Sequence, residues 1–123
     1  MTWTVDIGAI ADNLNRDLDQ VARAVKISLF NGVIRDTRVD TGRLRGNWQT
    51  TTGQPARGTI ERLDPNATIA TRDVEQTVQG DTVDYLTNNL PYAEVWEQED
   101  GMVSRNVARI QRTVEEEVRR VRR

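Results

Sequence analysis

The sequence predicts an α+β fold: a small antiparallel sheet packed against two long amphipathic helices, with a long β-excursion or arm leaving the sheet. Three observations predict it. Apolar residues recur at three- and four-residue spacing near both ends of the chain, the middle switches to β-branched and alternating residues, and Gly, Pro, Asn and Asp punctuate each change. A chain of 123 residues supports one domain with a modest core.

The first helix follows from Ile10, Leu14, Leu18, Val21, Val25 and Leu29, which make one apolar stripe broadened by Ala22, Ala24, Ile27, Phe30 and Val33. The spacing predicts a helix over 9–31, starting near Gly8 and stopped by Asn31-Gly32. The segment Val39-Asp-Thr-Gly-Arg-Leu-Arg-Gly-Asn-Trp48 then reads as a turn feeding a strand. Asp40 and Thr41 can turn a side-chain oxygen onto nearby amides, Gly42 tolerates positive φ, and Trp48 needs a covered place. On such a strand Arg43 and Arg45 share a face and reach for a carboxylate such as Glu94 or Glu97.

A first strand is expected near 46–52, where Trp48-Gln-Thr-Thr-Thr52 is β-prone, and Gly53 to Gly58 ends it. Thr59 to Leu63 then resumes as a short partner strand or an extended arm, and Asp64 to Ala67 turns. Residues 53–70 hold Gly53, Pro55, Gly58 and Pro65 with only Ile60, Leu63 and Ile69 as large aliphatic groups, so this stretch is expected to be a mobile arm. A small helix is expected from Thr71, as its cap, to Gln79, and a second strand over 81–87. The dense segment Asn88-Asn-Leu-Pro-Tyr-Ala-Glu-Val-Trp-Glu97 reads as a strand end, a turn fixed by Pro91, and a short helix lined by Tyr92, Ala93, Val95 and Trp96. The last helix, 103–121, carries Val103, Val107, Ile110, Val114, Val118 and Val121, with Asp100 better placed than Ser104 as its cap.

Composition narrows the chemistry. Cysteine and histidine are absent, which removes thiol chemistry, disulfides and the usual transition-metal ligands, and no cofactor is expected. No apolar run approaches the roughly 20 residues of a membrane helix, and Met1 to Asp6 lacks the pattern of a secretion signal, so a soluble cytoplasmic product without membrane contact is expected. Charge is uneven: residues 103–123 carry a net +4 and residues 1–102 a net −6. Sixteen of the seventeen basic residues are arginine, whose planar fork suits bidentate carboxylate pairs at protein interfaces.

Read together and in order, Val39 to Trp48, Gly80-Asp81, Asn88 to Ala93, Glu97 and Gly101-Met102-Val103 resemble the tail-component family of long-tailed bacteriophages, made up of tail-completion and neck proteins. This chain differs from the usual pattern in the short Gln98-Glu99-Asp100 spacer before Gly101. The resemblance implies a structural virion protein, made in the host bacterial cytoplasm, that forms a ring joining the tail tube to the head connector. It also implies that the ring is sixfold and leaves a channel for DNA. Its partners would be other copies of itself and the adjacent head-connector and tail-tube or tail-terminator proteins, with at most non-specific contact to passing DNA.

Under this reading Asp40, Thr41, Gly42, Arg43, Arg45, Trp48, Asn89, Pro91, Tyr92, Glu94, Trp96 and Glu97 are the structural and interface candidates. A tail terminator and a head-closure protein are the nearest alternatives, since both would also be small and free of catalytic residues. A DNA-binding accessory protein is a more distant one, resting on Arg105, Arg109 and Arg112 at spacings of four and three, with Arg119 and Arg120 beyond them. An enzyme is not expected: Lys26, Asp36, Asp40, Glu94 and Glu97 are scattered over elements of different type, and the Glu94/Glu97 pair reads as a salt bridge or solvated face.

Overall fold

In the computed structural model, which describes residues 2–5 and 18–121, the order is β1 (Thr2–Val5), α1 (Leu18–Asp36), α2 (Arg43–Gly46), β2 (Gln49–Thr52), α3 (Thr68–Thr77), β3 (Asp84–Thr87), α4 (Ala93–Asp100) and α5 (Met102–Val121). The fold is α+β, as the sequence predicts. The three strands form an antiparallel sheet in the order β1-β3-β2, with Thr50 opposite Leu86 and Thr2 opposite Thr87. Both strands read from the sequence are present, shortened to 49–52 and 84–87, whereas β1 was not anticipated. No strand forms over 59–63, which has no regular secondary structure.

Helix α1 buries Ala22, Val25, Leu29, Phe30, Val33 and Ile34, and meets Trp48, Val74, Val78, Leu86, Met102, Val103 and Ile110 in the main core. It lies antiparallel to α5: Asn106 Nδ2 donates to Asp36 Oδ2 at 2.8 Å near one end, while Val21 and Val25 face Ile110 and Thr113 further along. The expected start near Gly8, with Ile10 and Leu14, lies outside the described residues. The expected stop at Asn31-Gly32 is corrected, because the helix continues to Asp36. Gly32 serves close packing instead: a Cβ there would lie 2.2 Å from Asn106 Oδ1 and 2.6 Å from an Arg109 guanidinium nitrogen.

Two other boundaries move for identifiable reasons. Helix α3 begins at Thr68, three residues before the expected Thr71 cap, because Asp64 Oδ2 accepts the N–H groups of Ile69 and Ala70 at 3.0 and 2.8 Å. Asp100 does not cap the last helix. It closes α4, and Glu97 takes the capping role by accepting from Val103 N at 2.8 Å, Ser104 N at 3.1 Å and Ser104 Oγ at 2.7 Å. Gly101, at φ +65, makes the sharp turn between α4 and α5 that puts this carboxylate over the new helix start.

The sheet is tied to α1 by a buried ion pair. Lys26, the single lysine, has no exposed surface, and its Nζ donates to Gln79 O at 2.8 Å, to Thr82 O at 2.5 Å and to Asp84 Oδ2 at 3.1 Å. Asp84 also accepts from Thr52 Oγ1 at 2.6 Å and Thr82 Oγ1 at 2.9 Å. All three ammonium protons therefore have acceptors, which is the condition for keeping such a charge inside.

Candidate functional site

The dense segments 39–48 and 88–97, forty residues apart, come together in one hub. Gly42, in the left-handed region at φ +90, starts the α2 turn, and its carbonyl accepts from Gly46 N at 2.8 Å and from Asp64 N at 3.0 Å. A Cβ on Gly42 would lie 2.6 Å from Pro65 N, and one on Gly46 would lie 2.3 Å from Arg62 O, so both positions exclude a side chain. The turn points Leu44 into a small cluster with Leu90 and Ala93, against which Trp96 packs. Asn88 Nδ2 crosses from the second segment to Leu44 O at 2.8 Å, and its Oδ1 accepts Leu90 N.

The expected shared face of Arg43 and Arg45 is corrected, because both lie on a helical turn and residues two apart on a helix diverge. Arg43 is exposed. Arg45 turns back to the end of α1 and donates to Arg35 O at 2.6 Å, Thr37 O at 3.0 Å and Pro65 O at 2.5 Å. It therefore engages three carbonyls and neither Glu94 nor Glu97. Thr37 Oγ1 accepts Trp48 Nε1 at 2.8 Å and donates to Val33 O, so the fully buried Trp48 is anchored to the same helix end.

The other interface candidates have distinct placements. Asp40 and Thr41 are exposed, with Thr41 Oγ1 accepting Arg43 N at 3.3 Å. Asn89 Nδ2 donates to Ala56 O and Gly58 O at 3.0 and 2.9 Å, and Gln49 Nε2 also reaches Gly58 O. The stretch expected as an arm thus lies against the body here. Ile60 N donates to Asn47 Oδ1, and the Arg62 guanidinium bridges Gly46 O, Trp48 O and Asp73 Oδ2. Pro91, Tyr92 and Glu94 are exposed, while Trp96 is half-buried.

One contact beside the hub escaped the sequence. The Arg38 guanidinium sits 3.6 Å from the Trp96 ring centroid and forms two 2.8 Å bonds to Asp100. The hydrogen bond from Arg38 holds the Asp100 carboxyl below its ordinary value against an opposing effect of desolvation, with the charges of Arg38 and Arg105 adding to the lowering. Neither spacing nor composition pairs residues 38, 96 and 100; only the fold does.

The enzyme candidates do not converge. Lys26 is enclosed with Asp84, Asp36 accepts from Asn106, Glu97 caps α5, and Asp40 and Glu94 face solvent. Among the described residues no group of three or more His, Cys, Asp or Glu side chains is arranged to hold a metal ion, and no helix is long and apolar enough to cross a membrane. The basic candidates Arg105, Arg109, Arg112, Arg119 and Arg120 are all exposed along α5, with Arg109 also donating to Asn106 Oδ1 at 2.7 Å. In comparisons with known proteins, no family model, no curated protein and no solved structure matches the chain.

Proposed function

We propose that this chain is a structural subunit of the neck or tail of a long-tailed bacteriophage, forming a ring that joins the tail tube to the head connector and leaves a passage for DNA. The observation that carries the reading is the hub. Two of the segments that carry the resemblance, 39–48 and 88–97, meet as one packed unit, held by Asn88 on Leu44 O and by the Leu44, Leu90 and Ala93 cluster. The polar side chains of that unit support the reading as well, because Arg45, Asn88 and Glu97 bind backbone and thereby fix surface shape, which is what a docking subunit requires.

The test is head–tail joining. A phage lysate made without this chain should accumulate filled heads and free tails, and adding the purified chain should restore joined particles. Normal joining in its absence would remove the reading. The exposed arginines of α5 favour a second reading, a DNA-binding accessory protein. That reading requires micromolar affinity of the free chain for random duplex DNA, falling steeply with salt.

A further inference from the structure

Two surface features of opposite character flank the core and hub, a projecting knob and a recess floored by the core residues Val25 and Ile110. The first is the outer face of α4, where Tyr92, Val95 and Glu99 follow at intervals of three and four and so share one side. Val95 is 53% exposed and Tyr92 36%, with Glu94 and Glu99 exposed beside them, giving an apolar knob with an acidic rim. The second is a groove of about 440 Å³ between α1 and α5, with Val21, Val25 and Ile110 among its lining residues and Arg109 at its edge. Arg105 and Arg112, a turn to either side of Arg109 on α5, extend the basic rim.

We propose that α4 of one subunit docks into the α1/α5 groove of the next copy. Charge complementarity selects this occupant. The three salt bridges among the described residues involve none of Glu94, Glu99, Arg105, Arg109 or Arg112, and the side-chain bonds of Arg105 and Arg109 go to the neutral Gly101 O and Asn106 Oδ1, so the charges of an exposed acidic rim and an exposed basic rim are left for a neighbour. An apolar projection and an apolar recess of one molecule satisfy each other in the same way. Because the two patches differ, the contact is heterologous, and repeating it either closes a ring or runs on. One two-turn helix makes a small interface, so association is concentration-dependent and persists only where closure lets every subunit make the contact twice. This inference rests on the ring reading and names the contact that would build it.

The absence of cysteine makes cross-linking clean. Val95→Cys and Thr113→Cys place single thiols on the knob and at the groove; circular dichroism first verifies that each full-length variant is folded. With a short bis-maleimide at high protein concentration, the two variants mixed should give a cross-linked dimer while neither gives one alone, and the double variant should give a ladder ending in one closed species. Glu94→Arg with Glu99→Arg, or Arg105→Glu with Arg112→Glu, should each cut the product roughly tenfold, and mixing the two reversed proteins should restore it. Oligomers by light scattering without the 95–113 product would overturn this contact and leave the ring reading standing. A monomer at every concentration would overturn the contact and any ring formed ahead of docking. A product that appears only with added duplex DNA, and is not restored by the paired reversal, would assign the basic rim to nucleic acid and overturn the proposal.

Discussion

Trp48 links three parts of the molecule through one side chain. Its ring is fully buried in the core and its Nε1 donates to Thr37 Oγ1, which fixes the end of α1 beside the start of β2. Trp48→Ala should therefore destabilise the subunit by roughly 2–5 kcal/mol, the range for emptying a large buried aromatic site. Trp48→Phe should cost less, because it keeps most of the volume and loses the hydrogen bond; urea unfolding measures both. Asp100 gives a second residue-level expectation. Its carboxyl is held below its ordinary value chiefly by the Arg38 hydrogen bond, so its contribution is present above the unfolded value, near pH 4, and is lost as pH falls through the lower folded value. Asp100→Asn should flatten the pH dependence of stability below about pH 4 and lower stability at neutral pH by the same small amount, since so exposed a pair is screened. Unfolding midpoints across the acid range decide this.

At the scale of elements, close approach of backbone governs what the sequence could and could not disclose. Gly46 has an ordinary helical position, yet a Cβ would meet Arg62 O at 2.3 Å, and that carbonyl belongs to a segment pinned by the Arg62 guanidinium. Gly46→Ala should destabilise by roughly 1–3 kcal/mol through overpacking alone, measured by thermal unfolding against the wild-type chain. The amphipathic stripes of α1 and α5 and the β-branched run of β2 were legible because periodicity reports burial directly. The α2 turn was not, since Gly42 and Arg43 carry the same residue preferences before a strand as before one helical turn, and the choice is made by Asp64 donating to Gly42 O from twenty-two residues away. β1 was illegible for a related reason: four residues give no period, and its strand character comes from pairing with β3. Within the hub, Trp48 and the Pro91 turn could be read locally, whereas the partners of Arg38, Arg45 and Glu97 are all set by tertiary placement.

For the whole molecule, the expected arm divides into two parts with different roles. Residues 59–67 run along the body through Ile60 N, Arg62 and Asp64, and their loss would unfasten β2 and α3. Residues 53–58 form a loop, exposed except at the half-buried Ala56, that is bounded by Gly53 at φ +87 and Gly58 at φ +76 and touches the body through Asn89 on Ala56 O and Gly58 O and Gln49 on Gly58 O. Deleting residues 54–57 and rejoining the ends with a short glycine linker removes the Asn89 bond to Ala56 O and should lower the thermal midpoint of the monomer only modestly while blocking attachment of tails to heads. Full joining by the shortened protein would show that this loop has no part in assembly. Assembly into a neck ring is open to imaging of purified particles that carry a compact label fused to this chain. Label density should be confined to the junction of head and tail and repeat around the tail axis in sixfold symmetry. Label absent from the particle, or found only on free DNA, would contradict it.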